Sequence, residues 1–154
     1  MTRHLAQLNI ATPAVPVESP KFGEFMALLP EVNALAEHLP GFVWRMVAEG
    51  AHDATALRPY GPDVMVNLSV WESVEALRGF TYRSAHLEAM RRRREWFVAP
   101  DGPHLVLWWV PAGHLPTFEE AWERLDRLAS HGPGPEAFTL REPFPASGLP
   151  ATGR

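Results

Sequence analysis

Asn67, Ser69 and Trp71 alternate along the stretch Val64-Met65-Val66-Asn67-Leu68-Ser69-Val70-Trp71, and His86 follows on the next amphipathic segment. An amide, a hydroxyl and an indole N–H can each hold an oxygen atom, and an imidazole ionises near neutral pH. Together they can bind and deprotonate a weakly acidic hydroxyl. Strand side chains alternate between two faces, so the period of two puts the polar trio on one side and Val64, Val66, Leu68 and Val70 on the other. A polar trio beneath other elements needs a polar or aromatic occupant, because unpaired burial of such groups is costly. The bland alternative is a strand face that meets solvent or a partner's sheet, with Trp71 as core and His86 satisfied by a neighbouring carboxylate or carbonyl.

The elements that must carry these residues can be read from spacing. His4 to Ile10 alternates around Leu5, Gln7 and Asn9 as an opening strand. Ser19-Pro20 marks a helix start, and the apolar stripe from Phe22 to Leu39 is interrupted by Pro30, which predicts a kinked helix or two short ones. Phe42 to Ala48 reads as a second strand, Val64 to Trp71 as a third and Ser73 to Phe80 as a short helix. Ser84 can cap a longer helix running to Phe97. His104 to Val110 is a dense apolar strand, Pro116-Thr117-x-x-Glu120 resembles a capping box ahead of a helix through Leu128, and Ala137 to Arg141 is a short final strand. The order β-α-β-β-α-β is the split βαβ, ferredoxin-like pattern of an α+β domain: one antiparallel sheet with helices on one face, plus an added C-terminal helix and strand. A second subunit's sheet is the natural cover for the other face. Residues 1–145 form a single domain and 146–154 a loose tail.

The composition narrows the function classes. The chain has 154 residues, 46% hydrophobic and 21% charged, with a net charge of -4, which argues against nucleic acid as a partner. Arg91-Arg92-Arg93-Arg94 does not change this, since consecutive helical positions point in different directions and Glu88 and Glu95 offset part of the charge. There are no cysteines, which removes thiol catalysis, disulfides and thiolate-held metals. The seven histidines show no ligand spacing, so no metal site is expected. Nothing resembles a signal peptide or the roughly 18 apolar residues of a membrane span, so a cytoplasmic chain without a membrane partner is expected. Six tryptophans favour a ligand cavity or an oligomer contact.

The stretches Asn67-Leu-Ser-Val-Trp-Glu-Ser-Val-Glu-Ala-Leu, Tyr82-Arg-Ser-Ala-His86, Leu107-Trp-Trp-Val-Pro-Ala-Gly-His114 and Ala137-Phe-Thr-Leu-Arg-Glu resemble the dimeric α/β-barrel superfamily. Within it they resemble an uncharacterised bacterial family known only as a domain of unknown function, over roughly residues 3 to 145. The resemblance implies a homodimer. The chain is also similar, around the strand-to-helix junction, to the antibiotic biosynthesis monooxygenases, whose small quinone-forming members oxygenate polycyclic phenols without metal or flavin. That similarity implies catalytic roles for Asn67, Trp71 and His86. Asn67 would hold a phenolate oxygen, the Trp71 indole N–H a carbonyl or reduced oxygen species, and His86 would take the phenolic proton.

Haem-degrading relatives resemble the chain in an Asn on the first strand, here Asn9, and a haem-ligating His after the Trp-bearing strand, here His86. They also carry a Trp ahead of that His, where this chain reads Gly79-Phe80-Thr81-Tyr82. The expected ligand is therefore an aromatic small molecule needing no cofactor, with haem as the alternative. A non-catalytic ligand-binding dimer is the other reading. Asn9, Phe80, Tyr82, Trp108, Trp109 and His52 complete the expected binding set. Trp108 and Trp109 point to opposite faces, one toward core and the other toward a barrel or cavity.

Overall fold

The opening stretch becomes the centre of the sheet. In a computed structural model, which describes residues 2–146 apart from the side chains of Ser84 and Ala85, β1 (Arg3–Ala11) lies between two antiparallel neighbours. These are β3 (Met65–Trp71) on one side and β4 (Leu105–Pro111) on the other, with β2 (Phe42–Arg45) outside β3, giving the order β2-β3-β1-β4. The register sets Gln7 opposite Ser69 and Leu107, and Asn9 opposite Asn67 and Leu105. Partners in register share a face, so the polar residues of β1 and β3 converge on one side of the sheet. This is the ferredoxin-like arrangement that the element order predicts.

That side is roofed by α1 (Pro20–His38), α2 (Val74–Thr81), α3 (Ser84–Arg91) and α4 (Arg93–Trp96). The Ser19 hydroxyl caps α1 by accepting from the Phe22 amide at 3.2 Å, and Pro20 occupies the first turn. Pro30 sits inside one helix rather than dividing two. It removes one hydrogen bond on an exposed position, while Phe22 and Ala36 anchor the helix on either side. Ser73 caps α2 through the Ala76 amide at 3.0 Å. Gly41 adopts φ +90°, and a Cβ there would stand 2.5 Å from the Ala76 Cβ, so glycine lets the start of β2 pass against α2.

The single helix expected from Ser84 to Phe97 is instead α3 and α4, broken at Arg92. The break follows from what comes next. Phe97 is extended, the Trp96 carbonyl accepts from the Ala14 amide at 2.7 Å, and the Val98 amide donates to the Thr12 carbonyl at 2.8 Å. Trp96 is thereby fully buried against Phe25, 5.5 Å between ring centres. The expected strand over 137–141 reduces to one bridge on the outer edge of β4, where Leu107 and Phe138 exchange hydrogen bonds of 2.8 and 2.9 Å. Past it, the Leu140 carbonyl accepts from Arg78 of α2 at 2.7 Å, which ends the extended run. The expected loose tail lies, from residue 147, outside the described residues.

The opposite face, for which the sequence points to a second subunit's sheet, carries α5 (Phe118–His131) of the same chain. Thr117 caps α5 by accepting from the Glu120 amide at 3.1 Å, as the capping-box spacing predicts, and Gly132 closes it at φ +75°. Ala121, Leu125 and Leu128 project at helical spacing onto Ala6, Leu8, Val106 and Trp108. Tyr60, Leu57 and Met46 extend the cover. Ala6, Leu8, Val70, Val106 and Trp108 are all fully buried without a partner chain. Among the described residues no helix is long and apolar enough to cross a membrane.

Candidate active site

Between the polar face of the sheet and its helical roof lies a cavity of about 890 Å³. Phe25, Leu28, Leu29 and Val32 of α1 line it with apolar groups, and Met65 and Trp71 do so from β3. This is the size and character of a small-molecule site. Its polar floor is a continuous hydrogen-bonded set. The buried Gln7 donates from Nε2 to Asn67 Oδ1 at 3.0 Å and to Ser69 Oγ at 2.7 Å. The Trp71 indole N–H also donates to Ser69 Oγ, at 3.0 Å.

The direction of these bonds decides what the floor offers a ligand. Asn67 spends its carbonyl oxygen on Gln7, which leaves its Nδ2 hydrogens as the exposed donors. Ser69 Oγ accepts twice, so its own hydrogen is free to donate. The floor therefore presents hydrogen-bond donors to a cavity that is otherwise mostly apolar, an arrangement suited to an oxygen atom carrying negative charge. Trp71 takes a different part from the one expected: its N–H is used within the floor, and its ring forms wall. It stacks on Phe80 at 5.4 Å and 25°, and Phe42 meets it edge-on at 5.3 Å.

His86 continues that wall, its ring 4.6 Å from Phe80. Its Nδ1 lies 3.0 Å from the Thr81 carbonyl oxygen. A carbonyl only accepts, so Nδ1 carries the proton of the neutral ring and Nε2 keeps its lone pair. Burial pushes the imidazole below its ordinary value, an effect the Thr81 hydrogen bond opposes. His86 is accordingly neutral at pH 7, with a basic nitrogen to offer.

The structure thus brings Asn67, Trp71, His86, Asn9 and Phe80 to one cavity. It corrects the placement of four others. Tyr82 is 65% exposed at the end of α2. His52 is exposed in a loop, while its neighbour Asp53 reaches the cavity wall and is tied to Thr55 at 2.6 Å. Trp108 faces α5 on the far side of the sheet and donates to Glu120 Oε2 at 2.8 Å. Trp109 shares the cavity's face of the sheet but packs toward Phe138, donating to the Phe144 carbonyl at 2.8 Å. Gln7, absent from the expected set, is the hub of the floor. Its parity with Asn9 on the first strand was the available signal. Among the described residues no three His, Asp or Glu side chains are grouped to hold a metal ion.

The fold and cavity define a ferredoxin-like α+β protein with a ligand-sized chamber between sheet and helices. The chain belongs to the family described as Domain of unknown function (DUF3291), whose model matches residues 4–152. No curated protein matches it. Solved structures similar to it include a protein of unknown function from Nitrosomonas europaea, 14% identical, covering 75% of this chain and 97% of that one, with a TM-score of 0.50. A protein from Pseudomonas aeruginosa is 10% identical over 74% of this chain and 98% of its own, also at 0.50. SnoaB, a cofactor-independent oxygenase from Streptomyces nogalater, is 16% identical over 73% and 96%, at 0.48. At such identities the first two speak to the fold alone.

Proposed function

We propose that the cavity binds an aromatic or polycyclic phenol and that the chain oxygenates it without a cofactor. The observation that carries this reading is the donor floor of Asn67 and Ser69, set in an apolar chamber whose wall includes the neutral, basic His86. His86 Nε2 takes the phenolic proton. Asn67 Nδ2 and the Ser69 hydroxyl stabilise the phenolate, and the electron-rich ring carbon reacts with molecular oxygen. The balance is one phenol plus one O₂ giving one quinone and one water, with oxygen as the oxidant. One oxygen atom becomes the new carbonyl and the other leaves in water.

Oxygen uptake by the purified chain across a panel of naphthols and anthrones tests this. The expected result is one O₂ consumed per quinone formed, at a rate proportional to protein and insensitive to a chelator. Absence of uptake with every ring system that binds would overturn it.

A finer test addresses the floor. Gln7→Leu keeps the bulk and removes the amide that orients Asn67, so phenol affinity should fall about tenfold with the circular dichroism spectrum retained. Unchanged affinity would mean that Asn67 is oriented by something else.

A second reading rests on the same His86 geometry. A neutral imidazole fixed through Nδ1 by a backbone carbonyl has Nε2 directed to a ligand, as in haem ligation. A Soret band saturating at one hemin per chain and lost in His86→Ala would put this reading first.

A further inference from the structure

The run Arg91 to Arg94 is not a uniform basic face. Arg91 pairs with Glu88. Arg92 pairs with Glu24 at 2.6 Å and Glu95 at 2.9 Å, and its guanidinium lies 4.7 Å over the Trp96 ring. Among the described residues, no carboxylate lies within ion-pair distance of Arg93 or Arg94, and these two border the cavity.

The other charged groups on the cavity wall are one further arginine and two aspartates, none of them in ion-pair contact with Arg93 or Arg94 among the described residues. Arg45 is held by Glu37 at 2.8 Å and by the His52 carbonyl at 2.7 Å. Asp53 is occupied by the Thr55 amide and hydroxyl. Asp101 is the remaining carboxylate of the lining. The His104 imidazole, also on the lining, is pushed below its ordinary value by burial and then by the neighbouring Arg93, so it stays neutral beside that positive charge. Arg93 and Arg94 are thus, among the described residues, the cavity-lining guanidinium groups left without a carboxylate partner.

We infer that the aromatic ligand carries a carboxylate, which Arg93 and Arg94 engage at the rim of the cavity. A guanidinium offers a planar fork of donors matched to a carboxylate, and these two forks have no carboxylate of the chain to hold, among the described residues. The ligand then has two polar ends: a phenolic oxygen for the floor and an acid group for the rim, with an apolar ring system between them. This deepens the proposed function and rests on its reading of the cavity as an aromatic site.

Calorimetric titration of the full chain with 6-hydroxy-2-naphthoate and with 2-naphthol tests it, using the native chain, the Arg93→Gln/Arg94→Gln double variant and Arg91→Gln. The native chain should bind the acid about tenfold more tightly than the neutral phenol, a preference that shrinks as salt rises. The double variant should lose the preference yet bind 2-naphthol as before, which also reports that it is folded. Arg91→Gln should keep the preference. Equal affinities in the native chain, or a preference that survives in the double variant, would overturn the carboxylate assignment and leave the aromatic site standing. Failure of both compounds to bind the native chain would overturn the two together.

Discussion

His86→Ala should lower kcat/KM for phenol oxygenation by about 10²- to 10⁴-fold, the usual worth of a positioned general base. The imidazole is fixed by the Thr81 carbonyl and packed at a tilt against Phe80, so its loss removes a placed base and not merely a titratable group. The pH profile separates this from simple damage to the cavity. The folded imidazole titrates below its ordinary value of 6.5, because burial disfavours the charged ring. Turnover in the native chain should be level through neutral pH and fall on acidification below that value. The acid limb should vanish in His86→Ala, which would run slowly at every pH.

The same shift has a consequence for stability, with a definite sign. The unfolded chain takes up the His86 proton more readily than the folded one, so this residue's contribution is present above about pH 6.5 and is lost as pH falls through the folded value. His86→Ala should flatten that part of the stability profile. A variant that loses activity while keeping the native acid limb would show that another group is the base.

Trp108→Ala should cost about 3–5 kcal/mol of folding stability, among the largest single losses available to this chain. Trp108 is fully buried between β4 and α5, and its indole N–H donates to Glu120, so truncation opens a cavity and leaves that carboxylate one donor short. Trp109→Ala is the comparison. It is only half-buried and packs on Phe138, so its loss should be clearly smaller. Urea unfolding of both variants decides the point. Equal losses would mean that α5 is not docked over Trp108 in solution.

What the sequence makes legible here follows from periodicity. The alternation over 65–71 predicts which side chains of β3 share a face, and the spacing Thr117-x-x-Glu120 predicts the start of α5. Both are local signals, carried by neighbours along the chain. Gln7 is different: its partner Ser69 is 62 residues away, and only the strand register brings an amide on β1 under Asn67. Alternation likewise sends Trp108 and Trp109 to opposite faces. Which face holds the cavity depends on where α1 and α5 settle, and that is a tertiary outcome. The break at Arg92 was hidden for a similar reason, since the helix stops so that residues 96–98 can bond back to residues 12–14, far earlier in the chain.

The helix that covers the second face of the sheet changes how that face responds to dilution. When a sheet is covered by another molecule, its burial is subject to mass action and weakens as protein becomes scarce. Here both sides of the contact belong to one chain, joined by the short connection 112–117 between β4 and α5. The cost is the entropy of closing a short loop, which does not depend on concentration, in place of the translational freedom of a second molecule. The cavity on the opposite face is thus floored by a sheet that keeps its backing at any protein concentration.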